Sequence, residues 1–354
     1  MEKLKQSIVS VSGTVLMLVL ALLIGARLVA LTGNSPREAY EAIWNGAFGS
    51  PQKKCEIFVK LSPILLMGFG ISIAFRSQLW NIGSAGQFVM GSIAATAVGL
   101  YMPGPAIMKW IISFAAAIAA GGLWAALAGF LKIRFNANEV ITTLMLSYIA
   151  DYFLLYLING PMQDPSSDLA QSAAISDNLK LMPLIGTYRL NTSVFILITV
   201  CAVMFVFWKS DMGYRIDLVG QGRKVATYAG IHVNKTILMT MFLSGAMAGL
   251  AGWIETYGIQ FRILENLEAN YGDIANIIAL LGALNPAGIL ASAVFFAILL
   301  VGGSSMQTMT SVPYSVVDVI QGLIIIIIIA KAVIRIHSPK TEKKAKEGGN
   351  RHAQ

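Results

Sequence analysis

Charged side chains are what this chain has least of. Asp, Glu, Lys and Arg make up 12% of its 354 residues, against a hydrophobic fraction of 56% and a mean hydropathy of +0.68. A soluble domain carries about a quarter charged residues, so this composition cannot dress a surface facing water on all sides. Cysteine is nearly missing: Cys55 and Cys201 fall in an outer connection and inside a membrane segment on the reading below, so the two do not meet and a disulfide framework is excluded. The three histidines, His232, His337 and His352, lie outside every apolar run, which leaves no intramembrane imidazole for metal or acid–base chemistry. No G-x-x-x-x-G-K-[ST] phosphate loop occurs, since Gly220-Gln-Gly-Arg-Lys224 lacks both its spacing and its hydroxyl. ATP is therefore not bound by this chain, and a membrane enzyme is the weakest class.

What is present in abundance is long apolar sequence. Runs over 8–30, 57–75, 88–101, 110–131, 140–158, 193–208, 237–257, 274–284, 287–301 and 316–334 predict an all-α, polytopic membrane protein with about ten transmembrane helices. Several runs are shorter than about 20 residues and are expected to be broken or re-entrant, buried against protein. The first follows a Lys-bearing start but outruns a signal-peptide core, so it is expected to remain as an anchor. Most of the 26 Lys and Arg collect at one set of connections: Lys3, Lys5, Arg76, Lys132, Arg134, the segment 209–235, and 331–351. Positive residues stay inside, so both termini are expected in the cytoplasm. The net charge of +8 then reports topology, and a nucleic-acid partner is excluded. Residues 1–336 are read as one permease domain and 337–354, rich in Lys and poor in apolar residues, as a disordered basic cytoplasmic tail.

Between the runs ending at 208 and beginning at 237 lies the one sizeable polar platform, residues 210–235, with Arg215, Arg223, Lys224 and Lys235 outnumbering Asp211 and Asp217. Gly213, Gly220, Gly222 and Gly230 are expected to punctuate it into one short helix, about 223–229, flanked by turns. Either it is a solvated loop, or it is a docking helix for a cytoplasmic partner.

At membrane depth, Asn81-Ile-Gly-Ser-Ala-Gly-Gln87 is dense in residues that disfavour helix interior, and non-helical backbone there requires protein or water to satisfy it. A helix break is expected, with Asn81 and Gln87 lining a pathway or Gln87 capping a helix end. Asp151 falls mid-span, where a charge costs about 2.5 to 3.5 kcal/mol, so it is a contact for a polar solute or a hydrogen-bonded buried acid beside Tyr148 or Tyr152. Asn136 or Asn138 can cap the helix that Glu139 opens. Two short apolar halves joined at Leu284-Asn-Pro-Ala-Gly288 have the form of paired half-helices, whose termini present partial charges to a solute. Small residues at 115–128, Gly121-Gly122, and Ser244, Ala248 and Gly252 with Gly245 and Gly249 are read as packing faces. Asp318 and Gln321 stand one turn apart on the last span, after an outer piece at 302–315.

Several of these stretches resemble one family. The run Gly213 to Gly230 followed by Lys235 and Leu243-Ser-Gly-Ala-Met-Ala-Gly-Leu-Ala-Gly252, together with Ala74-Phe-Arg76, Asn81-Ile-Gly83, Gly86-Gln87 and the Asn138-Glu-Val-Ile141 helix start, resembles ATP-binding cassette importer permeases of the branched-chain amino acid and simple sugar type, in particular the nucleoside branch. The resemblance covers most of 35–330. It implies that 210–235 docks on a cytoplasmic ATPase subunit that binds the ATP, with Gly213, Arg215, Gly220, Arg223, Lys224, Ala226, Ala229 and Gly230 as coupling residues. It further implies a second permease subunit, homologous or identical, an extracytoplasmic substrate-binding protein, no cofactor in this chain, and residence in the inner (cytoplasmic) membrane in contact with lipid. The pathway set is Asn81, Gln87, Asn138, Asp151, Asn285, Asp318 and Gln321, for nucleosides or related sugar-bearing solutes. The alternative is an ion-coupled secondary transporter, for which Asp151 is the clear midplane candidate.

Overall fold

The computed structural model describes residues 23–310 apart from 28 and 32, together with 312, 315, 316, 318, 319 and 322. Its described elements are helices: α1 Pro36–Phe48, α2 Pro51–Arg76, α3 Ser84–Tyr101, α4 Ala106–Phe135, α5 Glu139–Ile158, α6 Ser193–Phe207, α7 Asp211–Gln221, α8 Arg223–Tyr228, α9 Val233–Glu255, α10 Tyr271–Leu281 and α11 Pro286–Met309. A π-helical turn, Thr256–Gln260, prolongs α9. Isolated β-bridges join only loop residues.

Among the described residues, five helices are long and apolar enough to cross a bilayer: α2, α4, α5, α9 with its π turn, and α11. A sixth span is possible if α6 and α7, bent by 63° at their junction, count as one. The chain is thus an all-helical polytopic membrane protein. The anchor expected over 8–30, most of the last span and the basic tail lie largely or wholly outside the described residues.

The residues fall into two units, 50–298 and a smaller one made of residues up to 49 with those from 299 on. In the smaller unit, Ser35 caps α1, its Oγ accepting from the Glu38 N–H at 3.5 Å. There Gly46 and Gly302 leave room for Ser305 and Ile43.

In the larger unit α2 is the axis. It is apolar all round and 89% of its membrane window is buried inside the protein, the pattern of a helix at the centre of a bundle. Helix α9 crosses α2, α3 and α4, and the crossings are closest where side chains vanish: Gly245 faces the Gly121 carbonyl and Ala125, Gly249 faces Ala117 and Gly121, and Gly91 backs onto Gly249. Without a hydrophobic drive between helices in lipid, such close backbone approach supplies the packing energy. Near the π turn, Trp253 stacks on Tyr257 with ring centroids 5.2 Å apart, its Nε1 donating to Ser113 Oγ at 3.0 Å, while the Tyr257 hydroxyl donates to the Ala95 carbonyl at 3.0 Å.

Helices α4, α5 and α6 turn Ile111, Leu123, Phe130, Tyr152, Phe195 and Val206 outward. A face of this breadth would be an aggregation surface in water; here it meets hydrocarbon.

Three expectations are corrected. The platform holds two helices: α7 forms in spite of Gly213 and Gly220, because Ser210 caps it, accepting from the Gly213 N–H at 3.3 Å, and because both glycines sit where a side chain would collide with backbone. Helix α11 runs to Met309, so the first residues of the outer piece expected at 302–315 are helical. Helix α3 begins at Ser84, which puts Gln87 in a helical turn and confines the break to 77–83.

Gly245→Val should lower detergent-solubilised stability by about 1–3 kcal/mol, the range for overpacking, since the added carbons meet Ala125 Cβ at 2.5 Å and the Gly121 carbonyl. Thermal unfolding followed by tryptophan fluorescence reads this.

Candidate solute pathway and coupling platform

The end of α2 carries the link between bundle and platform. Arg76 lies with its guanidinium carbon 3.9 Å from the centre of the Trp208 ring and its Nε 3.7 Å from Asp217 Oδ1. A planar guanidinium can stack and pair at once. Gly220 packs on the Arg76 carbonyl so closely that a methyl there would run into it, and Gly213 packs likewise on Phe207 and Trp208. Arg215 pairs with Asp211 at 2.7 Å along α7.

Gly222, at φ 140°, breaks α7 from α8, and Gly230, at φ 76°, closes α8. Ala226 is wholly buried and seats α8 on the rest of the platform. Arg223, Lys224 and Ala229 face outward with Val225 and Tyr228, the latter 92% exposed. So of the eight coupling residues, Gly213, Gly220 and Ala226 are buried in the platform, while Arg215, Arg223, Lys224, Ala229 and Gly230 are exposed. The exposed Tyr228 was not singled out from sequence; an aromatic on so polar a stretch is the signal that could have found it. A pocket of about 260 Å³ between Met212, Arg215, Ile216, His232, Lys235 and Met239 opens beside α7.

The expected pathway residues are dispersed. Asn81 and Gln87 meet: the Asn81 amide donates to Gln87 Oε1 at 3.0 Å and to Ser244 Oγ at 2.9 Å, and Gln87 Nε2 donates back to Asn81 Oδ1 at 2.8 Å. Both are buried, and the Gly83 N–H donates to Asn81 Oδ1 at 3.2 Å. The network closes the break at 77–83, where Gln78 has φ 58°, and ties it to α9. Helix α5 supplies the rest, as Thr143 accepts from the Ile82 N–H at 3.3 Å and Ser147 from the Gly86 N–H at 3.3 Å.

Asn138 caps α5, accepting from the Val140 N–H at 2.9 Å, while Asn136 ends α4 in the left-handed region. Glu139 pairs with Lys132 across that corner. Asn285 caps α11, accepting from the Ala287 N–H at 3.0 Å, next to a break in which Ala283 and Leu284 have φ 51° and 57°. Asp318 is exposed on a helical stretch, and Gln321 lies outside the described residues.

Asp151 lines a cleft of about 480 Å³ with Val89, Leu154, Leu155 and residues 265–270. The 261–270 loop is held open by Asn266, Ala269 and Asn270, all left-handed at φ 55°, 48° and 62°. Its Glu268 caps α10, accepting from the Gly272 N–H and, at 3.0 Å, from the Asn270 N–H. Burial pushes the Glu268 carboxyl up to about 7, against the pull of those backbone donors and with the push of Asp273 and Asp151. Sequence reading missed this loop because nothing in its composition marks it as the wall of a cleft. Among the described residues no cluster of His, Cys, Asp and Glu could hold a metal ion.

A helical bundle with interrupted spans, polar groups matched inside it and a basic platform tied to its central helix defines a membrane transport subunit. Residues 55–329 match the family model described as the permease component of the branched-chain amino acid transport system, and the chain belongs to that family. It is 33% identical over 332 residues to the guanosine ABC transporter permease protein NupP of Bacillus subtilis (strain 168), covering 92% of this chain and 95% of that one. It is 34% identical over 330 residues to the glucose ABC transporter permease protein TsgB13 of Haloferax volcanii, covering 90% and 87%. It is 29% identical over 338 residues to the nucleoside ABC transporter permease protein NupB of Lactococcus lactis subsp. cremoris, covering 92% of each. The chain is a multi-pass permease component of an ABC importer in the cell membrane, a transport subunit without its own ATP site.

An acid whose folded-state pKa is raised binds its proton more tightly in the native state, so stability is greatest at low pH and falls as pH rises from about 4.5 to about 7. Glu268→Gln should flatten that fall, read as the midpoint of thermal unfolding in detergent at pH 5 and pH 7.5.

Proposed function

We propose that the chain forms half of a translocation pathway for nucleosides or related sugar-bearing solutes, and that α7 and α8 take energy from a cytoplasmic ATPase subunit. The observation that carries the coupling half is the Arg76 contact: the platform is bonded to the end of the bundle's central helix through Trp208 and Asp217, so a push on α8 is transmitted to α2. Arg223, Lys224, Val225 and Tyr228 offer the docking face.

The solute half is supported by the solutes for which the relatives are named, guanosine, nucleosides and glucose, whose common part is a hydroxylated ring. Bacillus subtilis holds a second matching guanosine permease, NupQ, which supports pairing with a homologous rather than an identical subunit. An extracytoplasmic binding protein delivers the solute at the end of the bundle formed by 159–192 and 261–270, and Asp151 in the adjoining cleft is the first polar group of the pathway that it meets. About ten spans with both termini inside accommodate this arrangement, with the platform and Arg76 on the cytoplasmic side. Asn81 and Gln87 serve the pathway by fixing the break beside it, and Asn138 and Asn285 stand as further polar positions along it.

Affinity purification of the complex from detergent tests the docking face. Wild-type protein should bring down an ATPase chain, and the pair Arg223→Glu, Lys224→Glu should lose it while remaining monodisperse. Retention of the ATPase by the variant would remove α8 from the interface.

A further inference from the structure

A second polar array, distinct from the cleft at Asp151, sits where α2, the π turn and α10 meet. Glu255 is 2% exposed. Its Oε1 accepts from Gln260 Nε2 at 3.0 Å, and its Oε2 has no hydrogen-bond partner. Lys60 stands opposite on α2 and donates to the Tyr271 hydroxyl at 2.9 Å. Lys60 lies within electrostatic reach of Glu255. Both belong to spans that could cross hydrocarbon, where an open carboxylate oxygen costs several kcal/mol. Packing does not require it, because a glutamine or an aliphatic side chain would fill the same space.

Polar side chains around the array grow less exposed inward. The Arg189–Glu56 pair, 3.1 Å apart, is 49% and 23% exposed; Lys60 and Gln260 are half-buried; Glu255 and Tyr271 are buried. The π turn is what sets Gln260 against Glu255, and single π turns recur at functional sites.

We propose that Glu255, Lys60 and Tyr271 form the site that selects the solute by its ring hydroxyls. This rests on the transport reading above and names the part of the solute that is recognised. The open Glu255 oxygen accepts from a hydroxyl; the Lys60 ammonium, with donors to spare, gives to the hydroxyl's neighbour; and the Tyr271 hydroxyl, already accepting from Lys60, has its own proton to donate. A vicinal diol satisfies a carboxylate and an ammonium side by side. A ring stripped of hydroxyls leaves the buried carboxylate without the donor it is set to accept from, and sites built to bond a hydroxyl reject analogues that lack it far more strongly than apolar pockets reject extra bulk.

The test uses the complete transporter, with its ATPase, second permease and binding protein, in proteoliposomes. Uptake of guanosine is compared with uptake of 2′,3′-dideoxyguanosine, with glucose and 2-deoxyglucose in their place where glucose is the solute. Discrimination by the binding protein is common to wild type and variant and cancels. In Glu255→Gln the preference for the hydroxylated solute in kcat/KM should shrink by about tenfold or more, the scale of one charged hydrogen bond; a wild type that refuses the deoxy compound should give a variant that admits it. If Glu255→Gln does not assemble, Tyr271→Phe, which removes a single hydroxyl, is read the same way. Equal loss for both solutes, or an unchanged preference, overturns the selecting role while leaving the transport reading intact. A wild-type complex that moves neither guanosine nor glucose overturns the transport reading, and this inference with it.

Discussion

Inside a bilayer a polar group must find its partner in the protein, because the surrounding hydrocarbon offers none. That constraint decides where this chain can interrupt its helices. The break at 77–83 exists because Asn81, Gln87 and Ser244 answer one another and because Thr143 and Ser147 answer the freed N–H groups of 82 and 86. The break before α11 exists because Asn285 caps the helix that follows, while the Leu284 N–H donates to the Ala279 carbonyl at 3.0 Å. Six described side chains keep a buried polar atom unanswered, Ser84, Thr96, Trp208, Thr240, Glu255 and Asn276; Glu255 is the ionisable one among them, and for that reason it points to function rather than architecture.

The same constraint explains how the bundle stays rigid enough to transmit force. Backbone meets backbone at Gly121, Gly245 and Gly249, so α4 and α9 cannot slide without breaking close contacts. Helix α2 is enclosed by its neighbours and ends at Arg76, whose guanidinium is shared between Trp208 and Asp217. Gly220, pressed on the Arg76 carbonyl, removes the slack from that joint. A displacement of α7 and α8 therefore reaches the membrane core through stacked and paired groups.

Much of this was legible in the sequence. Few charges and long apolar runs fixed the class, the basic interval at 210–235 marked the platform, and the Asn, Gly and Gln cluster marked the first break. The small-residue stretches at 115–128 and 244–252 are packing faces as expected, and the structure pairs them with each other. What was not legible depends on long-range pairing. Ser244 lies 163 positions from Asn81, and Lys60 lies 211 from Tyr271; no local pattern couples them. The second platform helix was missed because Gly213 and Gly220 read as turn residues, whereas their lack of a side chain is used for close approach. Asp151 stood out as a mid-span charge, but the loop that forms its cleft is built by left-handed Asn and Ala residues whose conformation composition does not reveal.

The central claim is that this chain moves solute with energy received from another chain. Proteoliposomes containing the permease and its second permease subunit, with and without the ATPase subunit and binding protein, can be loaded with ATP or given only an ion gradient, and guanosine uptake followed in each. The account predicts uptake only when ATP, ATPase and binding protein are all present. Accumulation by the permease alone, driven by the ion gradient, would contradict it and return Asp151 to the centre of a secondary transporter.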